Sequence, residues 1–548
     1  MKLHRRPALV FLAGSLLVIG AAPASAAAPI RSTKASATVT AHAVAHSVTV
    51  RAAAADTAQV RAPAGSPAML GRDGKPTGAG LAASATTGSR PSPSNTSSQA
   101  GRPNTLPAAA AGARTSAAAA PHAAAPNASS AVGIHGVTQG GTGCSNCPTP
   151  DVTAAINSTE IAEAVNLELQ VYNRSGTSLC SVSLSGLLGA FGALSGPRMQ
   201  YDTAKKRFSI LIDSVPSSST DVAVQYLATS QADDACGAWW VYNIEFPVST
   251  TYPLGALLDY PYLGQDSTSI LTSTNNYSFG HAYLGSAAYA VPKAVAYTGA
   301  SFTITTYPVA FSTAPVTVAG VPIASTTTTY WVAAVPGTGY DVYSMPTNPA
   351  GAITLKGLIR APFNAPTRRI VQPGTSQTLD PGDGRITSAA VQDGSTLWFA
   401  QTVDDAGFPT VQYGAISAPS GQISTALAFD DAGSDDFNPS ITVTPAGGGT
   451  DYIWVDWAFT DSRFGVPASA TVAGVGPGQG VPDLAGVDLI LVTGSSTASN
   501  ASFGRWSSAS IDPTGTASCP AGLTALTAQE YFNSAGQWTT QLARTTFC

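Results

Sequence analysis

From Asp151 onward, apolar side chains recur at every second position, in bursts too short for helices. Phe208-Ser-Ile-Leu-Ile212, Trp239-Trp-Val-Tyr-Asn-Ile244, Thr329-Tyr-Trp-Val-Ala-Ala-Val335, Thr396-Leu-Trp-Phe-Ala400 and Tyr452-Ile-Trp-Val-Asp-Trp-Ala-Phe459 all follow this rule. A period of two puts one set of side chains on each face of a strand, and β-branched and aromatic residues suit that pleated surface. Turn signals such as Asp393-Gly394, Gly447-Gly448-Gly449 and Pro513-Thr-Gly515 separate the bursts. The chain therefore reads as all-β with at most a helical turn or two. The best helical candidate is the brief stretch Ser158 to Ala164.

The strands repeat as a unit: a small residue or proline, a short alternating strand, a turn, then a stronger apolar strand. Copies begin at Gly196-Pro-Arg-Met-Gln-Tyr-Asp202, Tyr260-Pro-Tyr-Leu-Gly-Gln-Asp266, Arg385-Ile-Thr-Ser-Ala-Ala-Val-Gln-Asp393, Asn438-Pro-Ser-Ile-Thr-Val-Thr-Pro445 and Trp506-Ser-Ser-Ala-Ser-Ile-Asp-Pro513. A degenerate copy at Val318–Val332 and the leading segment Val152–Leu184 bring the number to seven, at about 58 residues each across residues 141–548. Strand-rich repeats of roughly this length are the mark of propeller blades with loop insertions. Tandem β-sandwiches would each need a Greek-key set without internal repetition. The expected fold is a single β-propeller of seven blades, with six as the alternative.

What precedes this region is a different material. Met-Lys-Leu-His-Arg-Arg6, the apolar run Ala8–Ala22 and Ala24-Ser-Ala26 form a basic, apolar and small-residue series, read as a secretory signal peptide over 1–26. Its apolar run falls short of the ~20 residues that span a bilayer, so no membrane span is expected in the mature chain. Residues 27–140 are rich in Ala, Ser, Thr, Pro and Gly and read as a disordered linker, which cannot bury enough apolar surface to offset ordering. The charge divides the same way. The linker carries nine Lys/Arg and two Asp, net +7, whereas 141–548 carries 14 basic and 29 acidic side chains, net −15. So acidic a domain is a poor partner for nucleic acid. The linker's positive charge raises association with anionic cell-wall polymers, although a plain solvated spacer is the favoured reading. A secreted monomer is expected, with cell-wall association as the alternative address.

All six cysteines, Cys144, Cys147, Cys180, Cys236, Cys519 and Cys548, fall after residue 140. An even number in an exported chain points to disulfides. Six cysteines allow fifteen pairings; the expected set is Cys180–Cys236, Cys519–Cys548 and Cys144–Cys147. A redox or zinc role for Cys144-Ser-Asn-Cys147 lacks the helix start or the two further ligands it would require.

Asn157-Ser-Thr-Glu-Ile-Ala-Glu-Ala-Val-Asn166, Gln170-Val-Tyr-Asn-Arg-Ser-Gly176, Pro197-Arg198, Tyr201-Asp202, Asp259-Tyr260-Pro261, Thr274-Asn-Asn276 and the closing Gln529-Glu-Tyr531 with Trp538 occur in order. In this series the chain resembles a group of secreted bacterial β-propellers related in shape to the BNR/sialidase superfamily. The resemblance spans almost all of 141–548, and its motifs are structural. It implies a fold and an extracellular address, and leaves activity open.

No catalytic constellation stands out. A sialidase would need three convergent arginines, a Tyr/Glu pair and an Asp acid; the domain offers ten arginines but five glutamates, and Ser510-Ile-Asp-Pro-Thr-Gly-Thr516 departs from the Asp-box pattern. His281 is the one histidine well inside the domain, and no nucleophile elbow accompanies it. Most aspartates sit in turns, where a carboxylate accepts local N–H groups. Asp259, Asp456 and Glu530 lie within or beside strands with aromatic neighbours and are the candidates for a glycosidase pair in a central funnel; an anchoring role between blades is favoured for each. Asp430, Asp431, Asp435 and Asp436 cluster around Gly433 as hard-cation loops do, which makes calcium the one cofactor to consider. A solvated acidic loop is the favoured reading there, and no other cofactor is expected. The favoured function is noncatalytic recognition of extracellular polysaccharide or protein through a face lined by Trp239, Trp240, Trp398, Trp454, Trp457 and Trp506. The alternative is an exported glycoside hydrolase.

Overall fold

Residues 153–183 show how the period-two pattern is used. Four strands, Thr153–Ile156, Glu160–Val165, Glu168–Asn173 and Ser178–Ser183, pair antiparallel in sequence order as a meander. The first two are buried throughout and the fourth is largely exposed, so the sheet has an inner and an outer edge. The brief helix expected at 158–164 is instead part of the second strand. Ile161, Ala164 and Leu169 are all fully buried, and that packing overrides a weak local propensity.

In this computed structural model the described residues are 129–141, 149–190, 192–447, 450–497 and 503–548, with short strands at 46–50, 58–59, 69–70 and 76–77. The signal peptide, most of the linker, and Cys144 with Cys147 lie outside them. We label the meander above sheet I. Sheet II runs from Ala193 to Glu245, sheet III from Leu257 to Val309, sheet IV from Ala314 to Arg360, sheet V from Ala390 to Phe429 and sheet VI from Asp435 to Val492, each with four antiparallel strands in chain order. Sheet VII takes three strands from the C-terminus, Ser508–Ile511, Thr524–Phe532 and Trp538–Thr546, and its fourth from Ser129–Thr138. Short parallel pairings join the first strands of sheets III, IV and V. The only described helices are Leu184–Leu188 and Lys293–Ala296. The fold is all-β and propeller-like.

The fourth strand of sheet VII corrects the linker boundary. Residues 129–138 belong to the folded body, with Ile134 opposite Leu542 and Thr138 opposite Thr539. Within the same low-complexity stretch, His46–Val50 pairs with the outer strand of sheet III and Ala58–Gln59 with that of sheet II.

Apolar packing passes from sheet to sheet. One cluster joins sheets VII, I and II through Leu526, Ile161 and Phe208, and another joins II and III through Leu227 and Tyr289. Sheets III, IV and V share Leu271, Trp331 and Phe399, V and VI share Tyr413 and Trp457, and VI and VII meet at Trp454 and Ala525. The tryptophans expected to line a binding face are consumed here. Trp239, Trp398, Trp454, Trp457 and Trp506 are all buried, and Trp240 is partly so. Strand aromatics at period two face the neighbouring sheet, where each removes a large apolar area from water.

Two disulfides match the expected pairing. Cys180 on the outer strand of sheet I bonds Cys236 in sheet II, and Cys519 bonds Cys548 within sheet VII. No described helix is long and apolar enough to cross a membrane.

Candidate functional site: an axial cavity beneath a hydrogen-bonded collar

The first strands of five sheets, I to IV and VI, begin at or beside a kink. Asp151, Tyr260, Ser312 and Asn438 have positive φ, as does Gly196, and the register shifts beside Gly196, Tyr260 and Asn438 as a bulge does. At Gly196 a side chain is excluded twice over: φ is +73°, and an added Cβ would lie 2.6 Å from the Trp506 ring. This explains the small-or-proline start of the repeat, since the following proline has no N–H to leave unpaired at the kink.

The kinked residues join into a collar. The Asn166 amide donates to Asp151 Oδ2 (2.8 Å) while its Oδ1 accepts from Gly196 N (2.9 Å), and the Arg505 N–H donates to Asp151 Oδ1 (2.9 Å). Arg198 Nε donates to the Pro261 carbonyl (3.2 Å) and its Nη2 to that of Thr387 (2.6 Å). Tyr262 Oη donates to the Ile386 carbonyl (2.8 Å), and Asn438 Nδ2 to that of Gly504 (2.6 Å). Rings and cations fill the centre. The Arg198 guanidinium lies 4.3 Å from the Trp506 ring and that of Arg385 lies 4.0 Å from Tyr260, while Tyr260 and Trp506 meet edge to face at 5.2 Å. Arg385 pairs with Asp383, and Arg505 with Asp380.

Immediately past the collar, all seven first strands line one cavity of about 120 Å³. Thr153, Gln200, Gln265, Thr317, Ser388, Thr442 and Ser508 represent sheets I to VII in order. The remaining wall is largely aliphatic, including Leu263, Val318, Ile441, Val443 and Ile511. Several polar atoms here have no hydrogen-bond partner within the protein: both amide atoms of Gln200 and the hydroxyls of Ser388 and Ser510. Gln200 is 8% exposed and Ser388 7%. Buried polar groups are nearly always paired, so this concentration marks a surface shaped to meet a polar partner.

The carboxylates singled out in the sequence are elsewhere. Among the described residues, no Asp or Glu lines the cavity. Asp456 and Glu530 lie in the second strands of sheets VI and VII, both fully buried. Asp456 accepts from Ser440 Oγ and from Gln529 Nε2 (3.4 Å), and Glu530 Oε2 accepts from Gly504 N (2.6 Å). Gln529 Nε2 also donates to the Asn438 carbonyl (2.8 Å), so this network ties sheets VI and VII to the collar. Asp259 is buried at the start of sheet III, opposite Asn275.

Three carboxylates of the acidic run have partners of their own. Asp435 pairs with Arg368 and accepts from Val371 N, and Asp431 pairs with Arg463. Asp436 accepts from Trp457 Nε1 (3.0 Å) and from Asp430 N (3.0 Å). His281 occupies a turn at positive φ, and burial lowers its pKa.

Gln200, Ser388, Ser510 and Arg198 were not candidates, although all four lie in or beside the quoted repeat starts. Arg198 and Gln200 stand two apart on one strand and so share a face. A polar residue on both sides of an apolar Met199, in a strand whose neighbours are buried on each face, was the available signal.

Burial also sets a pH dependence. Desolvation raises Glu160, Glu168 and Asp451 to about 7 and Asp430 to about 6, and raises Glu163 and Asp456 as well. A carboxyl raised in the folded state binds its proton more tightly there than in the unfolded chain. Its contribution is full below the unfolded pKa and is lost as pH rises through the folded one. The melting temperature is therefore expected to be higher at about pH 5 than at about pH 8. Thermal unfolding across this range checks it; a flat or rising profile would contradict the assignment.

No protein-family model matches the sequence, and no curated protein matches it. Among solved structures the chain is similar to an alpha-L-arabinanase from Penicillium chrysogenum complexed with arabinobiose, at 9% identity over 73% of this chain and 94% of that one, with a TM-score of 0.34. It is similar to an alpha-L-arabinofuranosidase from Fusarium graminearum at 10% identity over 76% and 98% (TM-score 0.33), and to Trypanosoma rangeli sialidase in complex with sialic acid at 8% over 69% and 57% (TM-score 0.32). Similarities this distant say nothing of chemistry in this chain, and its propeller-like arrangement rests on the strand pairing above.

Proposed function

We propose that the seven meanders are the blades of one seven-bladed propeller, exported from the cell, whose axial cavity binds the end of a hydroxyl-rich extracellular molecule such as a saccharide without cleaving it. The observation that carries this reading is the set of unpartnered amide and hydroxyl groups on Gln200, Ser388 and Ser510 in a cavity with no carboxylate. Acid–base glycoside hydrolysis needs two carboxyl groups roughly 5–9 Å apart across the scissile bond. Amides and hydroxyls suit the hydrogen bonds of sugar hydroxyls, and the volume suits a single ring. The leader-like N-terminus and the two disulfides support an extracellular address.

A glycoside hydrolase is the second reading, and one observation favours it: Asp380 and Asp383 reach the collar's partly exposed rim beside Tyr260. Each is already paired with a guanidinium, Asp380 with Arg505 and Asp383 with Arg385. A glycan-array screen of the purified protein, read for retention and for released reducing sugar, separates the two readings. Retention without release is expected; release would establish the hydrolase.

Gln200→Leu follows directly. Its amide has no partner in the protein, so an apolar side chain of similar size should raise stability by about 1 kcal/mol while removing a ligand contact. Chemical denaturation alongside glycan retention checks both signs.

A further inference from the structure

Arg198 is a buried cation with no described carboxylate in contact; Asp151 and Asp213 act on it only at longer range. It is 6% exposed, its Nε and Nη2 donate to two backbone carbonyls, and its guanidinium lies over Trp506. Nη1 makes no hydrogen bond within the protein, and no described carboxylate forms an ion pair with this residue. Arg198 nonetheless lines the axial cavity, where the collar closes it. The other buried or largely buried cations around the collar and cavity are each paired with a carboxylate: Arg385 with Asp383, Arg505 with Asp380, and Lys293, whose Nζ lies 2.6 Å from Asp202 Oδ2 and also donates to Gln265 Oε1 (3.0 Å). Desolvation lowers the Arg198 pKa to about 10, and the more distant charges of Asp151 and Asp213 offset it only in part.

We infer that the axial cavity takes a ligand ending in a single carboxylate, received by Arg198 with Gln200 and Ser388 as further donors. This rests on reading the cavity as a binding site and adds the charge of its ligand. A buried cation with no carboxylate in contact is costly, and one monoanion brought into contact offsets that cost. A phosphate dianion would leave surplus charge in the same enclosed space, and a polyanion would meet a domain of net charge −15. The aliphatic wall past the polar end suits the carbon skeleton that carries the carboxylate.

Two sources supply such an end group, a uronic acid and a short aliphatic acid. The test titrates the purified protein calorimetrically with matched pairs: glucuronate and glucose, galacturonate and galactose, lactate and lactamide. In at least one arm the acid should bind about tenfold or more tightly than its neutral partner, because charge-assisted hydrogen bonds are roughly twice as strong as neutral ones. The arm showing the difference identifies the source. Arg198→Gln should erase the preference; since Arg198 also holds Pro261 and Thr387, the wild-type comparison decides the matter if that variant does not fold. Equal affinity of acid and neutral partner would overturn the carboxylate while leaving the cavity as a binding site. Binding of no member of any pair would overturn both.

Discussion

Removing residues 129–138 is expected to abolish cooperative unfolding of the whole domain rather than trim its edge. These residues form the outer strand of sheet VII, paired to Trp538–Thr546 in the last turn of chain before the C-terminus. Their loss exposes that strand's N–H and C=O groups as an open edge. It also takes away the Val137 N–H donated to Glu163 Oε2 (3.2 Å), a buried carboxyl of sheet I that Tyr172 Oη (2.8 Å) and Thr540 also reach. Sheets I and VII would then lose one of the ties between them at the same time as sheet VII loses its outer strand. Thermal unfolding of chains beginning at 129 and at 142 should show a single transition in the first and a broad or absent one in the second. A sharp transition at similar temperature in both would show that the strand is dispensable.

The second large effect is expected at Asp512. This carboxylate is fully buried, caps its own turn by accepting from Thr514 N (3.0 Å) and Gly515 N (3.2 Å), and receives both Arg174 and Arg544. Arg174 comes from sheet I, where its Nη1 also donates to the Asn157 carbonyl (2.6 Å), and Arg544 from the third strand of sheet VII. Asp512→Ala would leave two partly buried guanidinium groups facing each other without an anion. Breaking a buried pair by removing one partner costs about 3–5 kcal/mol. The clamp should show that loss in chemical denaturation, and Asp512→Asn, which keeps the turn bonds but not the charge, should lose most of it. A cost near that of an ordinary turn residue, about 1 kcal/mol, would mean the arginines contribute little.

These two sites show what could be read from the chain and what could not. The repeat starts at Gly196, Tyr260, Asn438 and Trp506 fall at the beginning of first strands because a kink, a proline and a close ring contact each demand a particular residue locally. The turn role of Asp512 was equally legible, since Asp-Pro-Thr-Gly carries its own turn chemistry. Its two arginines were not, because Arg174 lies 338 residues away. Ser129–Thr138 escaped for the same reason. Its composition matches the low-complexity stretch before it, and only pairing with the far end of the chain makes it a strand. The tryptophans were legible as strand residues but not as core, since period two states that a side chain has a face without stating what covers it. The cavity lay in plain sight as Arg198-Met-Gln200, but only the convergence of seven strands gives those polar groups a shared space.

What decides the function is whether the unpartnered groups in that space serve a ligand. The direct measurement is the pair of effects of Gln200→Leu, stability by chemical denaturation and retention on the glycan array, made on one preparation. A stability gain of about 1 kcal/mol together with loss of retention is predicted, because the amide is costly to the fold and useful only to what binds. A variant that retains glycan as the parent does, or that loses stability and retention together, would contradict it.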